Sequence, residues 1–163
     1  MAIEYMPDGT IVTGEFSGIM KVWNPKTSQS LVSFTHPDLI YSSALVSQDQ
    51  VIAIGGDDTE IYFYRINGSA TPLLVKSITI SPRIVYSMVI YNVMYNNVNC
   101  KILYAAASSS TAYSINVTSV SNIALIRTDS IDGLSQDIYA VEKAGKKNLN
   151  KLRLILGMLI EEI

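Results

Sequence analysis

The sequence is short of the residues on which most catalytic and metal-binding chemistry depends. Among its 163 residues there is one cysteine, Cys100, one histidine, His36, and one tryptophan, Trp23. A single cysteine excludes an internal disulfide framework and a cysteine-based zinc module. A single histidine argues against a multi-histidine metal site and against a conventional nucleophile triad. Charge is also scarce: 16% of residues are charged and the formal net charge is −2. Long apolar runs are missing as well, since a membrane span needs about 18 residues. The longest apolar-plus-glycine run here is residues 154–160, seven residues bounded by Arg153 and Glu161. The start, Met1-Ala2-Ile3-Glu4-Tyr5, lacks the basic opening and apolar stretch of a signal peptide, so a cytoplasmic or nuclear location is the expectation. Two glycosylation triplets, Asn67-Gly68-Ser69 and Asn116-Val117-Thr118, would matter only in a secreted protein. No cofactor and no metal is expected.

What the sequence does have is apolar material for a core, 48% hydrophobic residues, arranged in short segments. That proportion with so little net charge excludes disorder. Strand-like segments cover residues 10–13, 19–23 and 31–34, then 40–46, 51–54, 60–66 and 73–80. A third set covers 84–91, 101–107, 112–117 and 123–128, and a fourth begins with 137–141 and 152–156. Turn residues separate them: Gly14 to Gly18, Asn24-Pro25, Gly55-Gly56-Asp57-Asp58, Asn67-Gly68 and Ser108-Ser109-Ser110. Strands recurring in groups of four predict an all-β repeat architecture. One stretch reads two ways. Leu149, Leu152, Leu156, Leu159 and Ile163 fall at helical spacing, so residues 148–163 fit an amphipathic helix as well as strands. Gly157 and the likeness of Leu154-Ile155-Leu156 to Lys101-Ile102-Leu103-Tyr104 favour strand.

The segment Pro7-Asp8-Gly9-Thr10-Ile11-Val12-Thr13-Gly14, followed by Ser17-Gly18-Ile19-Met20-Lys21-Val22-Trp23-Asn24, resembles a blade of the WD-repeat β-propeller family. In that family a Pro-Asp-Gly turn joins the first and second strands of a blade, a serine or threonine closes the second strand, a turn aspartate follows, and the third strand ends in Trp-Asp. By this resemblance Thr13 and Trp23 belong to the buried polar network of the first blade, with Ser17 at the turn position and Asn24 for the final aspartate. In the second copy His36 takes the loop position before the first strand, Asp58 the turn position and Tyr64 the tryptophan position, while Ile54 replaces the strand serine. The resemblance implies that His36 and Asp58 meet, tying loop to turn, and that Tyr64 extends the network through its hydroxyl. The third copy places Ser109 at the turn and Ile115 at the tryptophan position.

Spacing agrees with the resemblance. Trp23 and Tyr64 are 41 residues apart, within the roughly 40–45 expected per blade. Tyr64 to Ile115 is 51, and the excess is expected as an asparagine-rich loop over residues 92–99. A similar insertion is expected at 143–151, leaving the third and fourth strands of the last blade missing or unrecognisable. The expected architecture is therefore an all-β propeller segment, an incomplete ring of four-stranded antiparallel blades at residues 1–36, 37–81, 82–131 and, in part, 132–163.

Such a segment would expose an apolar face at each terminal blade, so completion by a longer polypeptide or by self-association into about seven blades is expected. The resemblance implies a non-enzymatic scaffold for protein–protein interaction, with contacts from the loops at one face. Phe16, Ser17, His36, Asp57, Asp58, Thr59, Ser108, Ser109 and Ser110 are the candidate partner-binding residues. Two other readings stay open. Residues 143–163 carry five Lys/Arg and two Glu, against seven Lys/Arg and twelve Asp/Glu before them, so residues 143–153 offer a basic segment for nucleic acid or ribonucleoprotein. The chain also fits a fragment of a propeller enzyme. His36 as a base, Asp57, Asp58 and Glu60 as a cation site, and Gly14 to Gly18 as a nucleophile elbow all fit less well than a loop histidine, an acidic turn and an ordinary turn, since the serine of the last motif is displaced by one.

Overall fold

Alternation of β-branched and small residues between turn signals becomes strand across the described residues. The computed structural model describes residues 2–81, 84–95, 98–130, 140–142, 153–156 and 159–162. β1 (Ala2–Tyr5), β2 (Ile11–Gly14), β3 (Ile19–Asn24) and β4 (Gln29–Thr35) form an antiparallel four-stranded sheet in that order. β5 (Ile40–Ser47), β6 (Val51–Gly56), β7 (Glu60–Asn67) and β8 (Ala70–Thr79) form a second, and β9 (Val85–Tyr95), β10 (Val98–Ala107), β11 (Thr111–Asn116) and β12 (Ala124–Ser130) a third. β13 (Ala140–Glu142), β14 (Arg153–Leu156) and β15 (Leu159–Glu162) make a three-stranded sheet. Each of the first three sheets has the antiparallel, sequential four-strand order of a propeller blade. No helix among the described residues is long and apolar enough to cross a membrane.

Three details differ from the sequence reading. The spacing predicts a loop over residues 92–99, but their described part continues β9 and β10. Tyr95 pairs with Val98, Met94 with Asn99 and Asn92 with Lys101, so the insertion is absorbed as a longer hairpin. Asparagine on the exposed part of a strand carries no pattern that separates it from a loop. The last sheet gains a third strand, β15, pairing Ile155 with Ile160 and Leu156 with Leu159, where the sequence predicts only two strands. β14 and β15 also decide the helix-or-strand ambiguity for their residues, and the rest of 148–163 and the basic insertion at 143–151 lie outside the described residues. Finally, β8 begins before Pro72, which a central strand would not tolerate. β8 is the edge of its sheet, and Pro72 lies where the β7–β8 register shifts.

The chain divides into two compact units, Met1–Ser81 and Pro82–Ile163. In the first, the two sheets pack face on face. Ala2, Val12, Met20 and Val22 from one meet Ile40, Ile52, Ile54, Tyr64 and Ile66 from the other. Full burial of one isoleucine side chain is worth about 1.5–3 kcal/mol, so this contact dominates the unit. The Ser43 hydroxyl donates to Glu4 Oε1 at 2.8 Å across the same contact. In the second unit Leu103, Ala105, Tyr113 and Ile115 lie at 1% exposure or less on one face of the third sheet.

Close approach between the end of β6 and the chain entering β5 rests on Gly56. A Cβ placed there would collide with the Leu39 carbonyl oxygen, a backbone atom that cannot swing aside. Gly9, at φ +85°, faces open space, with nothing within 4 Å of where a Cβ would stand. We expect Gly56→Ala to cost about 3 kcal/mol or more by urea unfolding. Gly9→Ala, with backbone strain alone, should cost about 1 kcal/mol. Equal losses at the two sites would contradict this packing.

Candidate functional site

Three chain segments meet along one edge of the first unit. The turn between β2 and β3 closes with Glu15 N–H donating to Ile19 O at 2.8 Å and Gly18 N–H to Glu15 O at 3.0 Å. Gly18 holds φ +82°, and a Cβ there would lie 2.8 Å from the Asp38 carbonyl oxygen, so glycine is needed for both reasons. The loop between β4 and β5, residues 35–39, is clamped on each side. His36 N–H donates to Gly18 O at 2.9 Å, and Asp57 N–H donates to Leu39 O at 3.3 Å. The turn between β6 and β7 is shaped by Asp58, whose Oδ1 accepts the Glu60 N–H at 2.9 Å.

Under this edge lies His36, 1% exposed. Its Nδ1 is 3.3 Å from the Tyr64 hydroxyl, and Tyr62 presents its ring at 87° with centroids 4.8 Å apart. Tyr62 in turn stacks near-parallel with Tyr64, and Phe34 meets Tyr64 edge-on at 5.5 Å. His36 Nε2 is buried with no hydrogen-bond partner. The expected direct bond between His36 and Asp58 is thus replaced. Tyr64 takes the imidazole nitrogen, and Asp58 acts on His36 through its charge. The Tyr62 hydroxyl bonds to Asp58 and Glu60, and burial, followed by these bonds and charges, raises its pKa. Burial and then the Asp58 charge push Tyr64 up to about 12. Both phenols stay protonated and can bridge a ring nitrogen or a carboxylate.

The first sheet carries the other polar pair. Trp23 Nε1 donates to Thr13 Oγ1 at 2.8 Å, and Lys21 Nζ pairs with Glu15 at 2.8 Å while lying 5.9 Å from the Trp23 ring centre. Ser17 and Thr59 are exposed, Asp57 and Asp58 half-buried. Phe16 is 56% exposed and meets the Tyr41 ring edge-on at 5.3 Å. His36, a candidate contact residue by sequence, is 1% exposed and supports the edge from beneath. In the second unit, Ser109 and Ser110 sit at φ 55° and 56°, a tight left-handed turn. Of that serine triplet Ser109 is exposed, Ser108 half-buried, and Ser110 buried. Sequence reasoning missed Tyr62 and Tyr41. Tyr62 carried a usable signal, standing two residues before Tyr64 and so on the same strand face.

No protein-family model matches the sequence, and no curated protein does. Among solved structures, the chain is similar to the crystal structure of the Saccharomyces cerevisiae Sqt1. The TM-score is 0.71 at 16% identity, covering 93% of this chain and 43% of that one. Likeness at that identity shows the fold, and the chain spans less than half the length of the chain it matches.

Burial lowers the His36 pKa from 6.5, with the charges of Asp58 and then Asp38 opposing it. The folded protein therefore keeps a neutral imidazole where the unfolded chain binds a proton. This contribution to stability is complete above about pH 6.5 and declines as pH falls toward the folded value. Glu4, raised from 4.5 by burial, acts with the opposite sign, losing stability as pH climbs above about 4.5. Denaturant titrations at pH 7.5 and 5.5 should show wild type weakening on acidification and His36→Asn weakening less. Identical slopes would rule out His36 as the titrating group.

Proposed function

We propose that the chain is a non-enzymatic scaffold that docks other proteins through the edge built by residues 15–18, 35–39 and 57–59, as part of a larger propeller or complex. The observation that carries this reading is Phe16. It is a large aromatic side chain, 56% exposed, held on a turn whose own backbone is pinned to the neighbouring loop. Aromatic side chains on rigid supports are what protein interfaces use as anchors, because little conformational freedom is lost on binding. Tyr41 fixes the Phe16 ring edge-on, and the exposed Ser17 and Thr59 supply a polar surround. The clamped loop keeps these groups in one arrangement, which favours recognition by shape.

The partner chemistry that fits is an apolar side chain flanked by hydrogen-bond donors, since Asp57 and Asp58 border the edge with negative charge. Selection of a displayed peptide library on the chain tests this. Enriched peptides should lose at least tenfold in affinity on Phe16→Ala, about 1.4 kcal/mol. They should change less than twofold on Leu73→Ala, a substitution at an exposed position on β8. Absence of enrichment, or binding indifferent to Phe16, would overturn the reading.

A further inference from the structure

An asparagine side chain can react with its own main chain. The nitrogen of the next residue attacks the side-chain carbonyl, and a five-membered imide forms. The reaction needs an exposed amide, an attacking N–H not held in a hydrogen bond, and little bulk beside that nitrogen. Among the described asparagines, Asn67 fits these demands best. It ends β7, is exposed, and faces Ala70 across the two-residue turn Gly68-Ser69. Gly68 holds φ +53°, as the first central residue of such a turn requires. Nothing lies within 4 Å of where a Cβ would stand, so neither a side chain of its own nor a neighbour on that side crowds its nitrogen.

The other described asparagines are each protected differently. Asn24 precedes Pro25, which has no N–H to attack with. Asn116 Oδ1 accepts the Thr118 N–H at 2.9 Å, and the Val117 N–H that would attack donates to Lys101 O at 2.9 Å. Asn122 precedes Ile123, β-branched and buried. Asn92 and Asn99 stand inside the β9–β10 ladder opposite Lys101 and Met94, followed by the larger Val93 and Cys100.

We propose that Asn67-Gly68 is a self-modification site, at which the β7–β8 hairpin becomes a substrate for protein-isoaspartate methyltransferases. The Gly68 nitrogen gives up its proton and bonds to Asn67 Cγ. The side-chain nitrogen leaves as ammonia, carrying that proton. Water then opens the imide at either of its carbonyls. One opening gives aspartate. The other gives isoaspartate, whose main chain runs through the side-chain carbon and is one atom longer. Its free α-carboxylate is the group such an enzyme esterifies from S-adenosylmethionine. The longer main chain cannot keep position 67 opposite Ala70, so the tip loosens. Loosening stops at Ile66, which is fully buried with its N–H on Gln50 O at 2.9 Å. The docking edge around Phe16 adjoins the other end of β7, roughly 20 Å away at about 3.3 Å per residue, so the two sites stand or fall separately.

The test holds the folded 163-residue chain at neutral pH and 37 °C, with a parallel sample unfolded in guanidinium chloride. Fragmentation mass spectrometry should find the exchange of NH2 for OH at Asn67 in the folded chain. Asn116 and Asn122 should lag it by about tenfold or more in rate. The aged chain should accept methyl groups from S-adenosylmethionine in the presence of a protein-isoaspartate methyltransferase, and Asn67→Ser should lose most of that acceptance. Gly68→Ala, which meets open space at the cost of backbone strain, should slow conversion at position 67 about tenfold or more. Far-ultraviolet dichroism should match wild type for both variants. Asn67 staying intact in the folded chain while the unfolded sample converts would overturn the proposal. So would conversion of Asn116 as fast as Asn67, or methyl acceptance undiminished in Asn67→Ser.

Discussion

The loop between the first two sheets is the constraint on which the unit depends. Two sheets joined by so short a connection share a core only if the crossing chain is held in one place. Here it is held from both sides, by His36 N–H on the Gly18 carbonyl and by Asp57 N–H on the Leu39 carbonyl. Glycine at 18 and at 56 leaves the space those bonds require. The imidazole of His36 then fills the volume beneath, with Tyr62 and Tyr64 as its walls. A buried polar group with an unpaired nitrogen is expensive, and its neutral state is the least costly one available. Packing of Ile52, Ile54 and Ile66 onto Met20 and Val22 supplies the compensating stability.

Much of this was legible in the residue order. The Pro7-Asp8-Gly9 turn announces a hairpin, and Asp8 accepts the Thr10 N–H at 2.9 Å as an aspartate in that position should. Thr13 and Trp23 could be paired from the repeat pattern, and they are bonded. What could not be read was the choice of partner for His36. A charged aspartate is the stronger acceptor on paper, yet Tyr64 reaches Nδ1 from β7 while Asp58 is engaged by Glu60 N–H and Tyr62. Such competition is settled by distances that one-dimensional spacing does not contain. The lengthened β9–β10 hairpin escaped for a different reason: asparagines at 92 and 99 carry turn propensity, and cross-strand pairing overrode it. The insertion therefore adds strand to the third sheet and leaves the four-stranded order intact.

The repeat also separates two kinds of surface that composition alone would merge. Faces of the sheets are built for other sheets, and their parity is fixed by the alternation along each strand. Edges where turns and loops converge are freer, because backbone hydrogen bonds rather than side chains hold them. Phe16 and its neighbours occupy the second kind of surface, and Ile3 and Tyr5 the first. A fold of this type places no demand on the chemistry of its edges, so function has to be argued from the residues that stand there.

The central claim is that residues 35–39 are a clamped platform and not an ordinary surface loop. Amide hydrogen exchange, residue by residue, measures this directly. The His36 and Asp57 amides should exchange nearly as slowly as those of Ile52 and Ile54 in the core, and removal of the Tyr64 hydroxyl in Tyr64→Phe should quicken His36 selectively. Exchange of His36 and Asp57 at the rate of the exposed turn residues Ser17 and Thr59 would contradict the account.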